Sequence, residues 1–129
     1  VAEQYRQLDC LTESIYYEAT GEPLEGMLAV AQVMVNRSES PKFQDTICKV
    51  IHAPSQFSWT REKPKALVKI NRNAWNEARE VAKRVLLEGE RLRSIEGAMF
   101  YHTNAISTNW DKDMIVVARL GNHIFYKEK

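Results

Sequence analysis

Leu11-Thr12-Glu13-Ser14-Ile15-Tyr16-Tyr17-Glu18-Ala19-Thr20-Gly21-Glu22-Pro23-Leu24-Glu25-Gly26 is the stretch whose reading decides the fold. Leu8, Leu11, Ile15 and Ala19 recur at three and four residues, the apolar stripe of an amphipathic helix. Glu18 follows Leu11 by seven residues, so at about 100° per residue it lies only about 20° from that stripe. A carboxylate is therefore expected on the buried face. Gly21 can end this helix, and Pro23 suits the first turn of another. Glu18 is placed one turn before a helix end, partly desolvated and beside a sharp turn. In that setting a carboxyl can hold its proton and act as a general acid. The competing reading is a Glu that escapes to solvent at the helix end.

The 129 residues suffice for one domain with a real core, expected over 1–129. Hydrophobic residues make up 44% and charged residues 27%, the balance of an ordinary globular chain. The net charge of +1 calls for neither nucleic acid nor an acidic membrane surface. No apolar run approaches the roughly 20 residues of a membrane span. Residues 1–6 lack a signal-peptide layout, so export is expected through a leader removed before this numbering or by another route. Cys10 and Cys48 permit one disulfide and require none. Both sit in apolar-periodic segments, and free thiols are expected. Neither a zinc-spaced Cys/His cluster nor a phosphate-binding Gly-rich loop occurs, and no metal or cofactor is expected.

Working outward, the first helix is expected from about Gln4 to Ala19 and the second from about Pro23 to Arg37. The second is apolar on most sides and should be the central buried helix. Glu25, Ala29, Gln32 and Asn36 form one polar and small stripe along it. A buried amide there needs partners, either in a polar cleft or on a neighbouring loop. Asp45 is a candidate N-cap for a short third helix carrying Ile47, Val50 and Ile51. Phe57 and Trp59 fall in a loop and are expected to plug the core. Arg61 to Arg72 reads as a solvated basic face. A strong helix follows from about Asn73 to Glu88, capped by Asn71 or Asn73 and followed by Gly89. Gly97 to His102 reads as a strand. Met114 to Leu120 and His123 to Tyr126 are strands joined by the hairpin signal Gly121-Asn122. The expected class is α+β: four helices, then about three short antiparallel strands.

Ile15 to Pro23, Glu25-Gly26 and Ala29 to Arg37 together resemble the catalytic domain of the SleB/CwlJ family of cell-wall hydrolases, the type found in spore-cortex-lytic enzymes and phage endolysins. Ser40 to Phe43, Gln56-Phe57-Ser58 and Gly121 to Phe125 add supporting pieces. The resemblance implies a lysozyme-related helical fold with a small sheet beside the cleft, and peptidoglycan glycan strands as substrate. It implies Glu18 as the catalytic acid and Glu22 as a residue shaping the site. It also places the protein at the cell wall or in the periplasm. Trp59 to Arg72 departs from the family pattern, and Tyr101-His102-Thr103-Asn104 stands where the family has an aromatic-Asn strand.

Hydrolysis of a glycoside normally needs two carboxylates flanking the bond. Here Glu18 has no convincing partner: Glu22 lies across a helix break, and Asp45, Asp111 and Asp113 read as caps or loop charges. A lytic transglycosylase avoids the need, because the nucleophile is the 6-hydroxyl of the substrate's own muramic acid. Glu18 is the expected acid and then base, with Glu22, Gln32, Gln56, Tyr101 and Asn104 as substrate contacts, and a monomer as the working unit. His123 is expected to pack at the hairpin. The rivals are a hydrolytic muramidase, a wall amidase and a non-catalytic glycan-binding or phage structural module. An amidase commonly uses zinc or a Cys nucleophile, and His52, His102 and His123 are too scattered to favour it.

Overall fold

In the computed structural model the described residues are 2–53, 70–103 and 113–129. The apolar stripe at the N-terminus becomes helix α1 (Ala2–Ala19), with Leu8, Leu11, Ile15 and Ala19 all buried. Each large aliphatic so buried contributes about 1.5–3 kcal/mol. Gly21 takes φ +88 and the Glu22 N–H bonds to the Ala19 carbonyl, which stops α1. Pro23 stands immediately before α2 (Leu24–Ser38), the central helix, buried continuously from Gly26 to Val35. It packs against α1, the short α3 (Ile47–Ile51) and α4 (Arg72–Leu86). The α4 face of Ala78, Val81, Ala82 and Val85 closes the helical core, and the Asn71 side chain caps its start by accepting from the Ala74 N–H. The cap of α3 is Thr46, which accepts from the Lys49 N–H; the neighbouring Asp45 pairs with the Lys49 ammonium instead.

Three antiparallel strands follow, β1 (Phe100–Thr103), β2 (Met114–Leu120) and β3 (His123–Glu128), in the order β1-β3-β2. This is the expected α+β class, four helices and a small sheet near the C-terminal end. The first strand begins later than its sequence suggests. Gly97 sits at φ +80 in a turn, and the Ala98 N–H bonds back to the Ile95 carbonyl. Sheet pairing starts only where the Met99 N–H reaches the Tyr126 carbonyl.

The expectation of free thiols is also overturned. Cys10 and Cys48 are joined in a disulfide with their Cα atoms 5.3 Å apart. Both cysteines do lie in apolar-periodic helices, but α3 packs on α1 in a way that brings the two stripes face to face. The Gln7 side chain fixes the register by accepting from the Cys48 N–H. Closing a loop over a sequence separation of 38 removes chain entropy from the unfolded state. Replacing both cysteines by serine should lower the unfolding free energy by about 2–4 kcal/mol while keeping the helical circular-dichroism signal. Urea melts check this, and a midpoint equal to the parent's would show that the crosslink adds nothing.

Candidate active site

Glu18 occupies the last turn of α1, half-buried. Its Oε1 accepts a 2.7 Å hydrogen bond from the Tyr101 hydroxyl of β1. Tyr101 faces the helices because of strand register. It pairs with Phe125, and Thr103 pairs with His123, so Tyr101, His123 and Phe125 share one face of the sheet. The Tyr101 ring lies 5.7 Å from the fully buried Phe125 ring and meets the His123 ring edge-on at 5.3 Å. Sheet packing therefore aims the phenol at the end of α1.

The polar residues of α2 hold the segment that leads into β1. The Gln32 amide both donates to the Leu92 carbonyl and accepts from the Leu92 N–H. Asn36 donates to the Ala98 carbonyl, and Arg37 Nε donates to the Met99 carbonyl at 2.7 Å. These bonds hold the backbone that runs into β1. Arg37 is only 7% exposed. Its guanidinium lies 5.2 Å from the Phe43 ring centre and 5.7 Å from that of Phe100, within cation–π range.

Glu22 fastens the hairpin to the α1–α2 turn. Its Oε1 accepts from the Asn122 N–H at 2.7 Å and its Oε2 from the Asn122 amide at 2.9 Å. His123 Nδ1 adds a third contact at 3.2 Å, with only 3% of the His123 side chain and 9% of the Glu22 side chain exposed. Gly121 makes this approach possible. It takes φ +59, and a Cβ there would collide with the Glu22 carboxylate and lie 2.9 Å from Pro23 Cδ. A line of contacts thus runs from Glu22 through His123 and Tyr101 to Glu18.

Protonation follows from these neighbours. Burial pushes the Tyr101 hydroxyl well above its ordinary value of 10, and the adjacent Glu18 carboxylate pushes it further, so Tyr101 remains a donor. Tyr101 as a residue keeps some surface in contact with solvent, but its hydroxyl end is enclosed. Burial pushes the Arg37 guanidinium down, and the neighbouring Tyr101 and Glu18 oppose that. Desolvation favours the neutral form of Glu22, yet the bonds from Asn122 and His123 outweigh it and hold the carboxyl below its usual 4.5.

The structure thus brings together Glu18 and Tyr101, and links Glu22 to them through His123 at the hairpin. Of the two roles open to Gln32, capping a neighbouring loop is the one it takes, with its amide engaged by Leu92. Gln56 and Asn104 lie outside the described residues, as do Phe57, Trp59 and Asp111. Asp113 is exposed, and Asp45 serves Lys49. Arg37 was not singled out by sequence, although a signal existed. It follows Met34 by three residues and Val33 by four, which puts it on a buried face just as Glu18 is. Among the described residues no group of three or more His, Cys, Asp or Glu is gathered as a metal site would require. None of the described helices is long and apolar enough to cross a membrane.

Four helices with a small three-stranded sheet near the C-terminal end is the arrangement that comparison with known proteins matches. The profile of the family described as Cell Wall Hydrolase matches residues 21–126, a span that begins three residues after Glu18. The spore cortex-lytic enzyme of Oceanobacillus iheyensis is 30% identical over 98% of this chain and 44% of its own length. That of Bacillus subtilis is 27% identical over 89% of this chain and 35% of its own length. The chain therefore spans less than half the length of these curated relatives. The catalytic domain of Bacillus cereus SleB superposes with a TM-score of 0.72 at 25% identity, covering 95% of this chain and 91% of that one. The catalytic domain of the germination-specific lytic transglycosylase SleB from Bacillus anthracis gives 0.73 at 26% identity, covering 94% and 93%. The chain belongs to the cell wall hydrolase family.

Two outcomes test the hairpin clamp. The folded-state value of Glu22 lies below 4.5, so its stabilisation is complete above the unfolded value and is lost as pH falls through the folded one. Glu22→Gln should melt lower than the parent at neutral pH, and the gap should narrow as pH falls below about 4.5, the ordinary value for a Glu carboxyl. A gap that does not change with pH would remove Glu22 as the charged clamp. Gly121→Ala should destabilise by about 1–3 kcal/mol, read from denaturant midpoints, because it combines backbone strain with a clash against Glu22.

Proposed function

We propose that this domain is a peptidoglycan-degrading glycosidase that acts as a lytic transglycosylase on the MurNAc-GlcNAc backbone. The observation that carries the reading is the Tyr101–Glu18 hydrogen bond, which orients one half-buried carboxyl while Glu22 is committed to the hairpin. Family membership and the spore cortex-lytic relatives support the substrate class. The Bacillus anthracis neighbour is a lytic transglycosylase, which supports the reaction type.

In this mechanism Glu18 gives its proton to the glycosidic oxygen as the C1–O bond breaks. The oxocarbenium ion so formed faces a Glu18 carboxylate that the Tyr101 hydroxyl steadies. That carboxylate removes the proton from the muramic acid 6-hydroxyl, whose oxygen attacks C1 and closes a 1,6-anhydro ring. Glu18 ends as it began, protonated. The nucleophile is already tethered to the electrophile, so no second carboxylate has to hold a water. Glu22 shapes the cleft by anchoring the hairpin. Gln56 and Asn104 remain candidate sugar contacts. No metal enters the scheme, and every group assigned comes from one chain, so a monomer suffices. The Cys10–Cys48 disulfide is the kind that persists in oxidising compartments, which favours action at the wall or in the periplasm.

Glu18→Gln should retain the parental melt and lose nearly all clearance of purified sacculi; substantial residual clearance would exclude Glu18 as the acid. Tyr101→Phe should reduce the rate by roughly 10²-fold with less effect on the fold. Clearance should survive exhaustive dialysis against a chelator, and rescue by zinc alone would revive the amidase. Mass spectrometry should find glycan ends in 1,6-anhydromuramic acid, one water lighter than reducing ends, with stem peptides attached. Reducing muramic acid ends would make the enzyme a hydrolytic muramidase, free stem peptides an amidase, and no cleavage by the folded protein a glycan-binding module.

A further inference from the structure

Arg37 is a cation in an expensive place. Enclosing a guanidinium costs several kcal/mol unless hydrogen bonds, rings and opposite charge repay it, and Arg37 is 7% exposed. Its bond to the Met99 carbonyl does not explain the choice of residue. One neutral N–H can hold a carbonyl, and Asn36 does so for Ala98 one position earlier. Nor does helix polarity explain it. A cation at a helix C-terminus is already favoured at the surface and needs no burial for that, whereas this one is folded inward between Phe43 and Phe100. What the inward position supplies is a fixed positive charge at the start of the strand that carries Tyr101, the donor to Glu18, and Tyr101 and Glu18 both act on it electrostatically. The same side chain holds the carbonyl of Met99, two residues before Tyr101, whose hydroxyl bonds Glu18.

We infer that Arg37 is a positioning residue for the reaction, its buried charge steadying the negative charge that Glu18 acquires when it gives up its proton. The inference rests on the assignment of Glu18 as the acid. While Glu18 holds the proton it is to give, it gains little from Arg37. As the proton passes to the glycosidic oxygen, the carboxylate charge grows in a water-poor setting where a fixed cation acts strongly. The stabilisation belongs to the transition state and to the intermediate, so it should be read in kcat and not in KM. Arg37 touches no sugar in this scheme. It acts through Glu18 and through the Tyr101 hydroxyl.

The test compares Arg37→Gln, which keeps an N–H for Met99 but no charge, with Arg37→Lys, which keeps the charge. Both are assayed on soluble glycan fragments beside the parent and Glu18→Gln, with thermal melts of each. Arg37→Gln should lose roughly 10²-fold in kcat with KM within about threefold of the parent. Arg37→Lys should recover kcat to within about tenfold. Parental kcat in a folded Arg37→Gln, or Arg37→Lys no better than Arg37→Gln, overturns the proposal. If Arg37→Gln does not fold, Arg37→Met is read in its place; if neither folds, the charge serves folding and the proposal fails. An inactive parent, or an active Glu18→Gln, defeats the assignment of Glu18 as well. An active parent with inactive Glu18→Gln and unimpaired Arg37→Gln defeats this proposal alone.

Discussion

The hydrogen bond from Tyr101 to Glu18 joins residues 83 apart in sequence, and much of the fold exists to make it possible. A phenol and a carboxyl meet at 2.7 Å only if the end of α1 and the face of β1 are both held to within a fraction of that distance. The end of α1 is set by Gly21 and the following turn. The position of β1 is set by pairing with β3 and by three α2 side chains, Gln32, Asn36 and Arg37, that grip backbone from Leu92 to Met99. Each grip satisfies a polar group that α2 has taken out of water, so burial of the central helix and placement of the strand are one event.

The second anchor works from the opposite side. Glu22 follows Glu18 by four residues, yet the surroundings of the two carboxyls differ. Asn122 and His123 surround Glu22 with donors, a setting that favours the ionised form and holds a turn in place. Glu18 accepts from the Tyr101 hydroxyl on a face that the helix otherwise commits to the core. A carboxyl enclosed by donors makes a good clamp and a poor acid, because its proton is rarely present. Environment, and not residue type, separates the clamp from the proposed acid. The His123 ring, wedged between Glu22 and Tyr101, ties the two settings mechanically.

Outside the site, the helical core and the disulfide divide the remaining work. Leu8, Leu11 and Ile15 seat α1 on α2 and α4. Cys10, on the same helix, is linked covalently to α3. Glu18 stands at the C-terminal end of that doubly held helix, and a rigid support is what its proposed role as acid requires.

Much of this was legible from residue spacing. The stripe of α1, the burial of α2, the Asn71 cap, the Gly121-Asn122 hairpin and the place of Glu18 on an apolar face all follow from local periodicity and turn chemistry, which act over a few residues. The sequence alone determined which elements form and where a carboxyl would be caught among apolar neighbours. Tertiary structure decided the rest. Cys10 and Cys48 look like two buried thiols until α3 packs on α1. Gln32 looks equally suited to a cleft or a loop until Leu92 arrives, and Thr46 displaces Asp45 as cap because its hydroxyl meets the helix N–H. Arg37 carried the same periodic signal as Glu18, but its meaning depends on Met99, Phe43, Phe100 and Tyr101, which periodicity along one helix does not reveal. Hydrogen bonds and charge pairs between distant segments depend on how whole elements dock, and docking is settled by the summed burial of the core, not by any short stretch of chain.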